Sequence, residues 1–241
     1  GTGGPATEAA THVASQAARL GLPCVVGRAP RSLGRSEEQL RDARRRFLGE
    51  VAMVVQGVVA TAHTLDDHLE TVVMRVLRGA GARGIAGLYA PSPTLRPLLY
   101  CTRAELATYA ADVEATWVED PTNLSRRYFR NRVRHDLLPA LERVRPDFAD
   151  RMLRLSEDAA RVRHEIDTFV SHLVRVGPGH RVSVAVDAFT GYSRSVLAVL
   201  WPAIAARAGL AMDWRGTERA ASFTITGRTG GRIQLSGGWE I

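Results

Sequence analysis

Among the side chains between Thr61 and Thr71, His63, Asp66, Asp67 and Glu70 stand out as able to move a proton or hold a cation. Carboxylate oxygens suit Mg²⁺, and an imidazole beside a carboxylate suits proton relay or the orientation of a triphosphate. Asp67 and Glu70 stand three residues apart, which on a helix makes them neighbours. A plainer reading fits the same spacing. Acids in a first helical turn are favoured by the helix dipole alone, and a histidine closing a strand is often a simple hydrogen-bonding group. Spacing leaves both readings open.

The flanking elements place these residues where ligands bind. Gly57 to Ala62 is an apolar run without alternation, the pattern of a parallel strand covered on both faces. Leu65, Leu69, Val72, Val73, Val76 and Leu77 then form the buried stripe of a helix over 65–77, with Thr64 as its cap. In open α/β sheets ligands sit beyond the carboxyl ends of strands, so a strand-to-helix junction is the expected address.

Around this junction helices alternate with short apolar runs. A helix is expected from Ala6 to Leu20, ended by Gly21, followed by a strand over Leu22 to Val26. Ser36 and Gln39 read as a capping box for a helix to about Ala52, and Thr102 with Glu105 as another for a helix to about Val113. Gly79 to Gly87 reads as loop, Arg96 to Leu99 as extended, and Trp117 to Asn123 as a turn. Arg127 to Arg143 is helical until Pro146, where a domain boundary is placed. Beyond it come helices over Phe148 to Val174 and Ser193 to Ala208, then β-like runs at 222–225 and 232–235. The fold class expected is α/β, with an incomplete parallel sheet followed by a mainly helical second domain.

The formal charge is +7 and the sequence holds no lysine, so every cationic side chain apart from histidine is an arginine. That excludes a lysine nucleophile or Schiff base within these residues, and favours planar, bidentate recognition of phosphate or carboxylate. Arg126, Arg127, Arg130, Arg132, Arg134 and His135 crowd one segment, interleaved with Tyr128 and Phe129. A charge run is usually a solvated face, and the interleaved aromatics leave phosphate contact by Arg130, Arg132 and Arg134 open beside that reading. Arg41, Arg44 and Arg78 are secondary candidates. Two cysteines, Cys24 and Cys101, point to a reducing compartment, and the remaining histidines have no zinc spacing. No run approaches the roughly 20 apolar residues of a bilayer span and no signal peptide opens the chain, so a cytoplasmic protein with no membrane contact is expected.

Several ordered segments resemble the tRNA(Ile)-lysidine synthetases, a family of PP-loop ATP pyrophosphatases. Thr61-Ala62-His63, Asp66-Asp67 and Glu70-Thr71 are similar to the family's AHHxDDxxET segment, with Thr64 in place of the second histidine. Residues 78–85 are similar to its RGxGxRGL loop, and 96–99 with 103–106 and Tyr109 to the block that follows. Residues 117–123 and 128–138, which include Asn131, resemble WxEDPTN and YxRNxIRxxLLP. Residues 41–44 match an ARxxRY-type helix, with Arg45 where an aromatic is usual.

The resemblance implies that ATP adenylates the C2 oxygen of the wobble cytosine in tRNA(Ile) with a CAU anticodon. Free lysine then attacks C2 and expels AMP. It implies His63, Asp67 and Glu70 as catalytic residues, Arg130, Asn131, Arg132, Arg134, Arg41, Arg44 and Arg78 as nucleotide or tRNA contacts, and Asp66, Asp67 and Glu70 as Mg²⁺ ligands. Residues 1–145 would be a truncated catalytic domain and 146–241 a substrate- or tRNA-binding domain ending in a short β region, with a homodimer compatible. The family's phosphate-cradling SGGxDS loop does not occur in these residues, and Gly1 to Pro5 reads as a loop without an initiator Met. The chain therefore reads as a piece cut at its N-terminus, inactive by itself, with strands 22–26 and 57–62 left with a gap between them. Two alternatives are a 2-thiolating tRNA enzyme, for which the cysteines form no pair, and a non-catalytic tRNA-binding remnant.

Overall fold

The computed structural model describes residues 4–29 and 37–241. These form ten α-helices and one short hairpin, in two compact units, Gly1–Met74 with Pro91–Met152 and Arg75–Ala90 with Leu153–Ile241. The division falls inside a long helix, at Met152 and Leu153. No helix among the described residues is long and apolar enough to cross a membrane.

In the first unit, α1 (Gly4–Arg19) already begins at Gly4, so only the first three residues of the expected opening loop lie outside the described residues. The helix is tied to the segment after the fifth helix: the His12 ring bonds the Thr116 carbonyl at 3.0 Å and Gln16 donates to the Thr116 hydroxyl at 3.1 Å. α2 (Glu37–Val54) follows; the capping box expected at Ser36 lies outside the described residues. α3 (Leu65–Leu77) has the bounds its apolar stripe predicts, with Leu69, Val72 and Val73 buried.

The two expected parallel strands are corrected. Residues 22–29 form no strand, and 57–62 make a single parallel bridge, Ala60 to Leu95. Thr61 donates to the Leu95 carbonyl and Leu95 to the Val59 carbonyl, both at 2.9 Å. An apolar run becomes a strand only when neighbours take its backbone groups, and these two runs do not pair with each other. Val25, Val26 and Val58 are accordingly exposed.

α5 (Arg103–Asp112), which follows the short α4 (Ala82–Ile85), carries the predicted capping box: Glu105 N–H donates to the Thr102 hydroxyl at 3.1 Å and Thr102 N–H to the Glu105 carboxylate at 2.7 Å. α5 is moored to α3 because Leu65 N–H donates to the Cys101 carbonyl at 2.9 Å. α6 (Phe129–Arg132) runs through a π turn (Val133–Leu137) into α7 (Leu138–Val144). Pro139 accounts for the wide turn. It has no N–H, and its ring would press on the carbonyl four residues back. Leu138 N–H reaches back five residues, to Val133.

α3 closes in the second unit with a left-handed Gly79, whose N–H bonds the Val76 carbonyl while Ala80 N–H bonds that of Arg75. The expected glycine loop here contains α4, pinned by Arg75 Nη1 to the Gly84 carbonyl at 2.7 Å. α8 (Phe148–Leu173) leads into the antiparallel hairpin β1 (Val174–Val176) and β2 (Val182–Val184). α9 (Arg194–Arg207) packs on these through Leu200, Ala203 and Ile204 against Val170 and Val174.

The β-like reading of 222–225 is also corrected: it is the end of α10 (Trp214–Thr226). Asp213 caps this helix by accepting from Gly216 N–H at 2.6 Å, Ala220 and Ala221 are buried, and Trp201 Nε1 donates to Thr224 at 2.8 Å. Burial of Ala220 and Ala221 carries the helix on through Thr224, Ile225 and Thr226 despite their strand preference. Residues 232–235 are extended, but pair only through a Gln234–Glu240 bridge.

Candidate functional site

At the start of α3, Thr64 N–H and its hydroxyl both donate to Asp67 Oδ2, at 2.9 and 3.1 Å, and Asp67 N–H returns a bond to the hydroxyl at 3.3 Å. This reciprocal cap orders the first turn and fixes the Asp67 rotamer. Burial alone would raise the Asp67 carboxyl; the Thr64 bonds and the Arg130 and Arg103 charges outweigh it and hold it below the usual carboxylate range.

One turn on, Glu70 is 1% exposed. Arg134 grips it with two parallel bonds, Nε to Oε1 at 2.6 Å and Nη2 to Oε2 at 3.0 Å. Arg130 Nε donates to Oε2 at 2.9 Å, while its Nη2 reaches the Asp67 carbonyl at 3.2 Å and the Thr71 hydroxyl at 3.0 Å. Arg134 also reaches Asp67 Oδ1 at 3.3 Å. A third guanidinium, that of Arg103, stands 3.4 Å from both Asp67 and Glu70, and its backbone N–H donates to Asp66 Oδ2 at 2.7 Å. Three carboxylates thus face three arginines.

His63 lies half-buried beside this network, its Nδ1 bonded to the Thr61 hydroxyl at 2.7 Å. Burial lowers its pKa; the Asp67 charge opposes this, and the Arg130, Arg96 and Arg41 charges reinforce it. The lowered pKa favours the neutral ring, which can accept a proton.

The structure therefore assembles His63, Asp66, Asp67, Glu70, Arg130 and Arg134 in one place. Three sets of contacts bear on the expected roles. The Mg²⁺ trio is not arranged as a ligand set: the oxygens of Asp67 and Glu70 are taken by arginines and Thr64. Among the described residues, no group of three His, Cys, Asp or Glu side chains could hold a metal ion. Asn131 is buried, with its amide donating to the Thr122 and Ser125 carbonyls at 2.8 and 2.9 Å, so it braces the 120–125 segment. Arg130 and Arg134 are not a free cationic face, since both are committed to Glu70.

The remaining candidates lie outside the network. Arg132 is exposed over the Phe129 ring, 5.5 Å from its centroid. Arg41 and Arg44 are exposed on α2, Arg41 near enough for its charge to bear on His63. Arg78 is exposed and belongs to the other compact unit. Sequence reasoning missed Arg103. Its signal was a cation in the first turn of a helix, against the dipole, a placement that local stability does not favour.

A model of the PP-loop domain matches residues 4–141. The chain is similar to tRNA(Ile)-lysidine synthase of Thermosipho africanus, 37% identical over 58% of this chain and 32% of that protein. It is also similar to that of Pseudomonas aeruginosa, 42% identical over 54% of this chain and 30% of that one. The likeness to the Parasynechococcus marenigrum protein of the same name is 28% over 91% of this chain and 68% of the other. The chain spans about a third of the length of the first curated relatives it matches. Among solved structures, the U34-tRNA thiolase NcsA of Methanococcus maripaludis, with its iron–sulfur cluster, shares the fold. Its TM-score is 0.51 at 19% identity, covering 64% of this chain and 57% of that one.

Proposed function

The chain belongs to the PP-loop domain family, and on that premise we propose that it serves ATP-dependent tRNA modification. The reaction proposed is ligation of free lysine to C2 of the wobble cytidine of tRNA(Ile) with a CAU anticodon. In the first step the cytosine O2 attacks the α-phosphorus of ATP and pyrophosphate leaves. In the second the lysine amine attacks C2, AMP departs with the oxygen, and the amine gives up a proton. The observation that carries the reading is His63, just past the Ala60 bridge and bonded to Thr61, beside Asp67 in the capped first turn of α3.

His63 is the proposed acceptor of the proton released by the amine, and ionised Asp67 stabilises the imidazolium that results. Glu70 holds the arginines in place and touches no reacting atom. The carboxylates as arranged do not fit a protein-held Mg²⁺, and no step here is assigned to one. The second unit, with its arginine-studded α8, is the proposed tRNA-binding part.

The fold shared with NcsA favours a second reading, 2-thiolation at the same wobble position. An iron–sulfur cluster draws on three or four cysteines, and these residues contain Cys24 and Cys101 alone. Lysine ligation is therefore preferred.

The test supplies ATP, labelled lysine and the CAU-anticodon tRNA, and identifies the wobble nucleoside by mass. It is run with this chain and with one preceded by a strand–SGGxDS–helix segment. Lysidine in either arm, suppressed by His63→Ala or Asp67→Asn, supports the proposal. Absence from both arms, or turnover unchanged in the variants, sinks lysine ligation; tRNA binding without turnover would leave a binding module.

A further inference from the structure

The three arginines around Glu70 are not equivalent. Arg130 and Arg134 hold it at 2.6–3.0 Å with side chains 29% and 21% exposed. Arg103 is 44% exposed, and its guanidinium stands off at 3.4 Å from Glu70, 3.4 Å from Asp67 and 3.9 Å from Asp66. Contacts of that length to a half-exposed cation are weak. Withdrawing one partner from a buried ion pair is costly because it strands a charge. Arg130 or Arg134 would leave Glu70 short of a close partner; Arg103 would not, because Glu70 keeps all three of its bonds at 3.0 Å or less. The Arg103 backbone, held to Asp66, stays in place while the side chain turns.

We propose that Arg103 is a phosphate-binding residue of this site, exchanging its loose carboxylate contacts for a phosphate oxyanion brought by nucleotide or by RNA. The proposal rests on the reading of the site as one that handles a nucleotide and a tRNA. A guanidinium presents a rigid fork of donors that matches two phosphate oxygens, and charge-assisted bonds of that kind are the strong ones. Asp67 and Glu70 are balanced by Arg130 and Arg134, so a phosphate approaching Arg103 meets a carboxylate pair already neutralised. Asp66, 37% exposed, keeps its bond from the Arg103 backbone N–H and is otherwise open to water.

Binding of ATP, by calorimetry, and of a CAU anticodon stem-loop, by fluorescence anisotropy across a salt series, is compared for wild type, Arg103→Gln, Arg103→Lys and the surface control Arg145→Gln. Arg103→Gln should weaken one probe about tenfold, with Lys restoring part of the loss and Arg145→Gln none of it. A loss confined to ATP identifies the nucleotide phosphates. A loss confined to RNA, with a shallower salt slope, identifies the backbone. The melting temperature of Arg103→Gln should stay near that of wild type; were it unfolded, Arg103→Lys carries the comparison. Wild-type affinity for both probes in a folded Arg103 variant overturns the proposal, as does a wild-type protein that binds neither. Lysidine formation with unaltered binding in Arg103→Gln would sink this inference alone. Arg103-dependent binding without lysidine would sink the assigned reaction alone.

Discussion

Glu70 and Arg134 meet side-on, with Nε to Oε1 at 2.6 Å and Nη2 to Oε2 at 3.0 Å, a bidentate pairing of the two charged groups. This pairing holds the Arg134 proton more firmly than usual, first through the Glu70 hydrogen bond, against burial, and then through the charges of Glu70, Asp67 and Asp66. It joins the middle of α3 to the π turn between α6 and α7, and it makes Glu70 a structural keystone.

Glu70→Gln should therefore lower stability by about 3 kcal/mol, because two guanidiniums lose the buried charge that balances them. Denaturant midpoints at fixed slope measure it. A change under about 0.5 kcal/mol, the level of an ordinary surface substitution, would show that the network carries no weight.

The His63 and Asp67 shifts share one sign. His63 is lowered from 6.5, so below that pH the unfolded chain binds a proton more readily than the folded one, and stability falls as pH falls. Asp67 is lowered from 3.8, so its contribution is present above that value and is lost in stronger acid, as pH drops through the folded pKa. Thermal melts from about pH 8 to about pH 5 should show a decline that His63→Gln flattens. Identical profiles for the two proteins would refute the His63 assignment.

Thr64→Ala removes the hydroxyl that caps α3 and binds Asp67, which should cost about 1 kcal/mol. The Asp67 carboxyl should titrate at a higher pH in the variant. Carboxylate titration by NMR reads this directly, and an unmoved Asp67 would contradict the cap geometry.

In the second unit, Arg83 forks onto Asp167 at 2.6 and 3.2 Å, with both side chains about three-quarters covered. A double-mutant cycle on Arg83→Ala and Asp167→Ala should return a coupling of about 1 kcal/mol or more. Additive effects would mean that the pair is incidental.

What could be read in advance follows the range of the forces involved. α3, α5 and α8 were legible because stripes and caps act within one turn, as Thr64 with Asp67 and Thr102 with Glu105 do. Residues 22–26 were misread because a strand depends on neighbours that no local pattern reveals, and 222–225 because burial beside Trp201 was invisible. At the site, the types and spacing of His63, Asp67 and Glu70 marked the place. Their ion pairing was not legible, because Arg103, Arg130 and Arg134 lie 33 to 64 residues from Glu70.

The wide turn at Val133–Leu137 makes the 129–144 segment two gears on one shaft, each with its own phase. Arg130 and Asn131 are clocked by the upstream gear, and Leu138 by the downstream one. Deleting a single residue inside the turn would close it to ordinary pitch and leave the two gears in phase, whereas deleting one elsewhere in the segment would rotate one gear by about 100° against the other. Either the guanidiniums would slip off Glu70 or the apolar teeth would leave the core. Substitutions within one gear leave the other in mesh.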